Sequence, residues 1–145
     1  MKQVIFLRLL NRWVDMHYQI TFPVRYYEAD PMGIVHHSEY IRYFELARDA
    51  WLREVGYTHE RCLAEHLVFP VVSLDCRYFR SARFGQDVTV TMDLDEFKGA
   101  KVTFLQRVLD PDGQVCAEGH VTLGFINTEL GRPVRCPETL SALLG

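Results

Sequence analysis

The order of secondary-structure signals predicts an α+β fold, a curved antiparallel sheet of about five strands wrapped around one long central helix. Three observations carry that expectation. Strict alternation of apolar and polar residues runs from Tyr18 to Tyr26, a wide apolar helical arc follows between Ser38 and Gly56, and from Phe69 to Ile126 the chain holds four strand-like runs separated by turns. With 145 residues, 48% of them hydrophobic, the chain suits one domain with its own core.

Each element has a local reason. Tyr18, Ile20, Phe22, Val24 and Tyr26 share one face of the first run, and His17, Gln19, Thr21 and Arg25 share the other, the period of a half-buried strand. The Asp30–Gly33 stretch "DPMG" breaks that pattern, and Ser38 reads as a helix N-cap whose hydroxyl accepts a first-turn N–H. Beyond it Tyr40, Tyr43, Phe44, Ala47, Ala50, Trp51 and Val55 fall on one helical arc, widened by Ile41 and Leu52, while Arg42, Glu45, Asp49 and Arg53 form a narrow polar strip. An arc that wide belongs to a helix wrapped by a sheet, and Gly56 is placed to end it in the left-handed conformation.

Glu60 to His66 reads as a short second helix or an ordered loop. Strands follow at about Phe69–Phe79, Asp87–Phe97, Lys101–Leu109 and Gln114–Ile126, with "KGAK" and "DPDG" as hairpin turns, and a short helix begins near Pro137. One helix covers only one sheet face, and Val71, Phe79, Leu105, Leu109 and Ile126 are apolar at outward positions. A homo-oligomer, dimer or tetramer, is therefore expected.

Composition removes several classes of function. A net charge of −3 with scattered Lys and Arg offers no footprint for nucleic acid. Cys62, Cys76, Cys116 and Cys136 lie far apart and read as reduced thiols, mostly buried. Arg8 and Arg12 interrupt the apolar patch near the N-terminus, which reads as neither signal peptide nor membrane span. A cytoplasmic location without membrane insertion is expected, and Met1 to Asp15 read as a loosely packed extension or a start assigned too early.

The stretch between strand and helix is where chemistry concentrates. A helix beginning at Ser38 leaves its first N–H groups unpartnered and carries a partial positive charge there, so it is suited to hold an anion or a polarised carbonyl. Asp30, held by Pro31 and Gly33, lies a few residues upstream. A carboxylate beside such donors is a minimal apparatus for acyl transfer, as nucleophile or as base for water. A lone Asp before a Pro-Gly turn also serves as a turn residue capping local backbone, and spacing alone does not choose between these.

The stretch "YYEADPMGIVHHSEYIRYFELAR", Tyr26 to Arg48, resembles the signature of the 4-hydroxybenzoyl-CoA thioesterase family, hotdog-fold acyl-CoA thioesterases. The resemblance implies a single hotdog domain and Asp30 as catalytic carboxylate. It also implies that the backbone N–H at His37 polarises the thioester carbonyl, that Gly33 lets the turn approach the substrate, and that Tyr26 and Glu28 flank the site. Ala29 stands where many relatives carry Thr or Cys, which puts side-chain support of Asp30 in question. The implied substrate is an acyl-CoA, with no cofactor.

Other residues bear on the reading. His36 and His37, with His59 or His66, lack the spacing of a metal site. Lys98 and Lys101 bracket a hairpin where members of the family place basic residues against CoA phosphates, and Arg77, Arg80 and Arg83 are alternatives. Arg48, beside the apolar arc, reads as a snorkelling side chain or an i, i+3 partner of Glu45. Two competing functions remain, a non-catalytic acyl-CoA or acyl-carrier binding module and a hotdog hydratase or dehydratase.

Overall fold

The computed structural model describes residues 2–6 and 16–145. In chain order the elements are β1 (Lys2–Phe6), β2 (His17–Pro23), a 3-10 turn (Tyr26–Glu28), α1 (Glu39–Glu54), α2 (His59–Ala64), β3 (Leu67–Val68), β4 (Val71–Leu74), β5 (Arg77–Tyr78), β6 (Asp87–Phe97), β7 (Lys101–Leu109), β8 (Val115–Gly124), β9 (Ile126–Asn127), β10 (Arg132–Pro133) and α3 (Glu138–Leu144). Apart from Lys2–Phe6, the N-terminal extension expected for residues 1–15 lies outside the described residues.

The main sheet is antiparallel in the order β1-β2-β6-β7-β8-β4, with β5 also on β8. It has seven strands rather than about five, because β1 pairs along β2 and the run Phe69–Phe79 divides into β4 and β5. Register shifts at Leu94/Glu96, Val108/Leu109 and Val71/Ser73 add bulges that bend the sheet around the helix. Both predicted hairpins are present, β6 to β7 and β7 to β8. A small second sheet has the order β10-β9-β3.

The wide arc of α1 is buried as its sequence requires, through Tyr40, Tyr43, Phe44, Ala47, Ala50 and Trp51. Tyr18, Ile20 and Phe22 of β2 and Val88, Val90 and Met92 of β6 face it across the core. Gly56 adopts φ +95° and the chain closes α1 in a Schellman motif, with the Tyr57 N–H donating to the Leu52 carbonyl at 2.8 Å and Gly56 to Arg53 at 3.1 Å. Thr58 caps α2 by accepting the Arg61 N–H.

Three local expectations need correction. β2 ends at Pro23 rather than Tyr26: past it the Val24 N–H turns to the Gln86 carbonyl and Tyr26 opens a 3-10 turn, pointing outward at 81% exposure. Ser38 is already helical and its hydroxyl caps nothing; instead its own N–H donates to Nδ1 of His36 at 3.3 Å. Arg48 neither snorkels nor pairs with Glu45 but is buried, donating to Oε1 of Gln106 at 3.0 Å.

The outer sheet face is covered largely by cross-strand polar pairs, among them His17 with Asp93, Thr21 with Thr89 and Arg107 with Glu118. Exposed apolar residues gather instead at the β4–β5 edge, where Val71, Val72, Leu74, Tyr78 and Phe79 are all open to solvent. Leu105, Leu109 and Ile126 are half-buried. The four cysteines are free thiols, Cys116 and Cys136 buried.

Candidate active site

The loop between the 3-10 turn and α1 is sewn down on both sides. Within it, Asp30 N–H donates to the Ile34 carbonyl (2.8 Å), Gly33 N–H to the Asp30 carbonyl (2.9 Å) and His36 N–H to the Glu28 carbonyl (3.0 Å). Outside it, Val35 N–H reaches the Ala82 carbonyl and Phe84 N–H the Gly33 carbonyl, both at 2.9 Å. Gly33 sits at φ +76° with open space where a Cβ would point, so the turn needs glycine for its backbone and leaves room above it.

Asp30 uses one carboxylate oxygen to hold that turn. Its Oδ1 accepts the Met32 N–H at 2.8 Å and the Ile34 N–H at 3.3 Å, while among the described residues Oδ2 has no donor. Asp30 lines two clefts. One, of about 370 Å³, is shared with His36, His37, Tyr40, Tyr78, Phe79 and Arg80. The other, of about 430 Å³, is lined with Tyr26, Tyr27, Pro31, Gly33 and Phe84.

The His37 N–H has no acceptor among the described residues, whereas its neighbours at His36, Ser38 and Glu39 are all engaged. Its carbonyl is held from across the cleft by the Tyr78 hydroxyl, which donates at 3.0 Å, and the Tyr78 ring meets His37 and Tyr40 edge-on. Burial pushes the Tyr78 phenol up to about 12, so that proton stays in place through the neutral and mildly alkaline range. Tyr40 in turn accepts the Ala82 N–H at 2.9 Å, tying the helix start to the segment that backs the loop.

Asp30, with an unpaired carboxylate oxygen, and His37, with an unpaired amide, line the same cleft among the described residues. Residues 24–144 match the family described as the Thioesterase-like superfamily. The chain belongs to that superfamily. This thioesterase-like chain is 32% identical to the acyl-CoA thioesterase YbgC of Haemophilus influenzae over 84% of its own length and 91% of the relative's. It is similar to the solved structure of hypothetical protein TT1821 from Thermus thermophilus, with a TM-score of 0.78 and 36% identity over 88% of this chain and 98% of that one. It also shares its fold with hypothetical protein SAV2348 from Staphylococcus aureus, solved in complex with CoA, at a TM-score of 0.85 and 16% identity over 93% and 85% of the two chains. The hotdog architecture expected from the sequence is the fold of this superfamily member.

Within this thioesterase-like fold the expected site residues separate into two groups. Asp30, Gly33, His37 and Tyr26 lie on the clefts around the loop. Glu28 does not: it is 4% exposed, and its carboxylate accepts the Arg25 N–H (2.7 Å), the Arg25 guanidinium (3.3 Å) and the Tyr43 hydroxyl (3.1 Å), so it holds the turn from beneath. Lys98 and Lys101 sit at the far end of β6, whose near end at Asp87 pairs with Pro23 close to the loop. At about 3.3 Å per residue, β6 runs roughly 33 Å along the strand from the end near the loop to the end beside the lysines. Lys98 instead pairs with Glu96 at 3.0 Å.

Sequence reasoning missed Tyr78 and Tyr40 as site residues. Tyr40 reads as core from its place on the apolar arc, and Tyr78 sits in a strand run with nothing local to mark it. Among the described residues no three His, Cys, Asp or Glu gather as metal ligands, and no helix is long and apolar enough to cross a membrane.

Proposed function

We propose that the chain hydrolyses acyl-CoA thioesters, with Asp30 as the reacting carboxylate and the His37 amide as the donor to the thioester oxygen. The observation that carries this reading is the pairing of two unsatisfied groups on one cleft, Oδ2 of Asp30 and the N–H of His37. With the carbonyl oxygen on that amide, Oδ2 either attacks the carbonyl carbon, expelling the CoA thiolate and leaving an anhydride for water to open, or takes a proton from a water that attacks in its place. In both routes negative charge grows on the carbonyl oxygen, where a fixed donor is worth about 3 to 4 kcal/mol. The two backbone bonds to Oδ1 fix the direction of Oδ2 without consuming it.

Two clefts meeting at Asp30 suit a substrate with two arms, an acyl group on one side of the sulfur and pantetheine on the other. Arg80, on the His37 cleft and only loosely paired with Asp110 at 3.6 Å, is the nearer candidate for the CoA phosphates. Lys98 and Lys101 could serve a site only on another copy of the chain. That copy is part of the proposal: β4 is an unpaired edge carrying Val71, Val72 and Leu74, and an apolar edge of this kind is normally covered.

The same bonds to Oδ1 favour a second reading, an acyl-CoA binding module in which Asp30 only fixes the turn. A panel of short-chain, long-chain and aromatic acyl-CoAs, followed by release of free thiol, separates the two. Turnover of at least one member above the uncatalysed rate is expected. Binding of every member without thiol release would establish the module, and hydration of an enoyl-CoA in its place would establish a hydratase.

A further inference from the structure

Among the described residues the adjacent histidines before α1 join no group of metal ligands, and only the His37 amide enters the chemistry proposed above. The His36 ring makes bonds of its own. Its Nδ1 accepts the Ser38 N–H at 3.3 Å and lies 2.8 Å from the Ser38 hydroxyl. The direction of a backbone N–H is set by the chain, whereas a hydroxyl turns to suit its neighbour. Nδ1 therefore presents its lone pair, the Ser38 hydroxyl donates to it as well, and the neutral ring carries its proton on Nε2. A side-chain acceptor bonded to the N–H two residues on is the arrangement of an Asx turn, which Asp30 makes with Met32 in the same loop at 2.8 Å.

The bond closes a frame around the His37 amide. The peptide that links His36 to His37 carries this amide, and its other polar group, the His36 carbonyl, accepts the Glu39 N–H at 2.9 Å. The next peptide, between His37 and Ser38, is gripped at both ends: its carbonyl accepts the Tyr78 hydroxyl at 3.0 Å, and its N–H reaches the His36 ring. Upstream, the His36 N–H is held by the Glu28 carbonyl at 3.0 Å. Of the four polar groups in the two peptides, only the His37 N–H is left open among the described residues, and the grips on either side decide where it points. A second proton on the ring would set Nδ1–H against the Ser38 N–H, donor against donor, and release that end of the frame.

We propose that neutral His36 is a positioning residue for thioester hydrolysis, its Nδ1 clamping the Ser38 amide so that the His37 N–H keeps one orientation on the cleft wall, and that protonation of the ring opens the clamp. The catalytic part of this rests on the function proposed above; the clamp does not. Ser38 is exposed, so water replaces part of a lost bond and the effect on rate is graded rather than complete.

Two substitutions separate the clamp from the ring. His36→Phe keeps a ring to pack on that of His37, whose centroid lies 4.1 Å away, and removes the acceptor; His36→Asn supplies an Asx-turn acceptor for the Ser38 N–H and does not titrate. In thiol-release kinetics at about pH 8, His36→Phe should lower kcat about fivefold with KM within about twofold, and His36→Asn should recover to within about twofold of wild type. The kcat ratio of wild type to His36→Asn should then fall about threefold or more between about pH 8 and about pH 5. Asp30, His37, Glu39, Tyr40, Tyr78 and Arg80 are the charged and titratable groups around the ring, and being common to both proteins they cancel from that ratio. Independently of turnover, heteronuclear NMR of the ring nitrogens should show neutral His36 protonated at Nε2, with the Ser38 amide resonance following the ring's titration. A neutral ring protonated at Nδ1, or a Ser38 amide indifferent to the ring's charge, overturns the clamp. A wild-type kcat in His36→Phe, no recovery in His36→Asn, or a ratio flat with pH overturns the positioning role even where Asp30→Asn abolishes hydrolysis. A chain that hydrolyses no acyl-CoA overturns the function proposed above and the positioning role with it, while the NMR result still upholds or overturns the clamp.

Discussion

Replacing Tyr78 with phenylalanine removes one hydroxyl and keeps the ring that packs on Tyr40 and His37. The lost interaction is a neutral O–H to the His37 carbonyl at 3.0 Å, and Tyr78 is 48% exposed, so water can reach the abandoned carbonyl. Net, such a bond contributes about 1 kcal/mol, which as a barrier corresponds to about fivefold in rate. It falls well short of the roughly 100- to 1000-fold loss that follows removal of an oxyanion donor itself, because in the proposed reading Tyr78 only orients the residue that carries the donor. The expected outcome in steady-state thiol-release kinetics is therefore kcat reduced about fivefold, KM within twofold and Tm lowered by about 3 °C or less. The folded phenol titrates only near 12, above the ordinary tyrosine value of about 10. The bond is thus fully present below about pH 10 and is lost only as pH climbs toward 12, so the kcat ratio should stay flat from pH 6 to 10. A kcat equal to wild type, or a rise in KM alone, would refute the idea that Tyr78 holds the amide in position.

Glu28→Ala leaves the Arg25 N–H and the buried Tyr43 hydroxyl without their acceptor, at about 3 kcal/mol in total, and should lower Tm by about 10 °C in thermal unfolding. A change below 2 °C would mean that the carboxylate does not support the turn. Val72→Glu puts a charge on the exposed β4 edge and should shift sedimentation velocity from a dimer or tetramer toward monomer at micromolar concentration. A wild-type chain that already sediments as a monomer would contradict the reading of that edge.

What the sequence made legible was periodic and local. The seven-residue arc of α1 and the alternation in β2 and β6 announced which faces are buried, and Gly56 announced the helix end, because each needs only neighbours in the chain. The same logic overran at Tyr26, where aromatic alternation continued although Pro23 had already removed a ladder donor. Ser38 looked like a cap by residue type, but the His36 ring, two residues upstream, accepts its amide. Arg48 and Tyr78 depend on partners 58 and 41 residues away, and no local pattern reports a bond of that span. Lys98 and Lys101 were joined to the site through the family resemblance, while sheet geometry puts them at the other end of β6.

The central claim is that the free oxygen of Asp30 does the chemistry, and Asp30→Asn addresses it with the least disturbance. The amide keeps an oxygen for the Met32 and Ile34 N–H groups and so preserves the turn, while removing the charge on the other atom. Measured as kcat/KM on whichever acyl-CoA the wild type turns over best, with CoA binding followed in parallel, the substitution should cost at least about 1000-fold, or 4 kcal/mol, and leave binding nearly intact. Hydrolysis within a few-fold of wild type would mean that the carboxylate is a turn residue and that the reaction, if any, happens elsewhere.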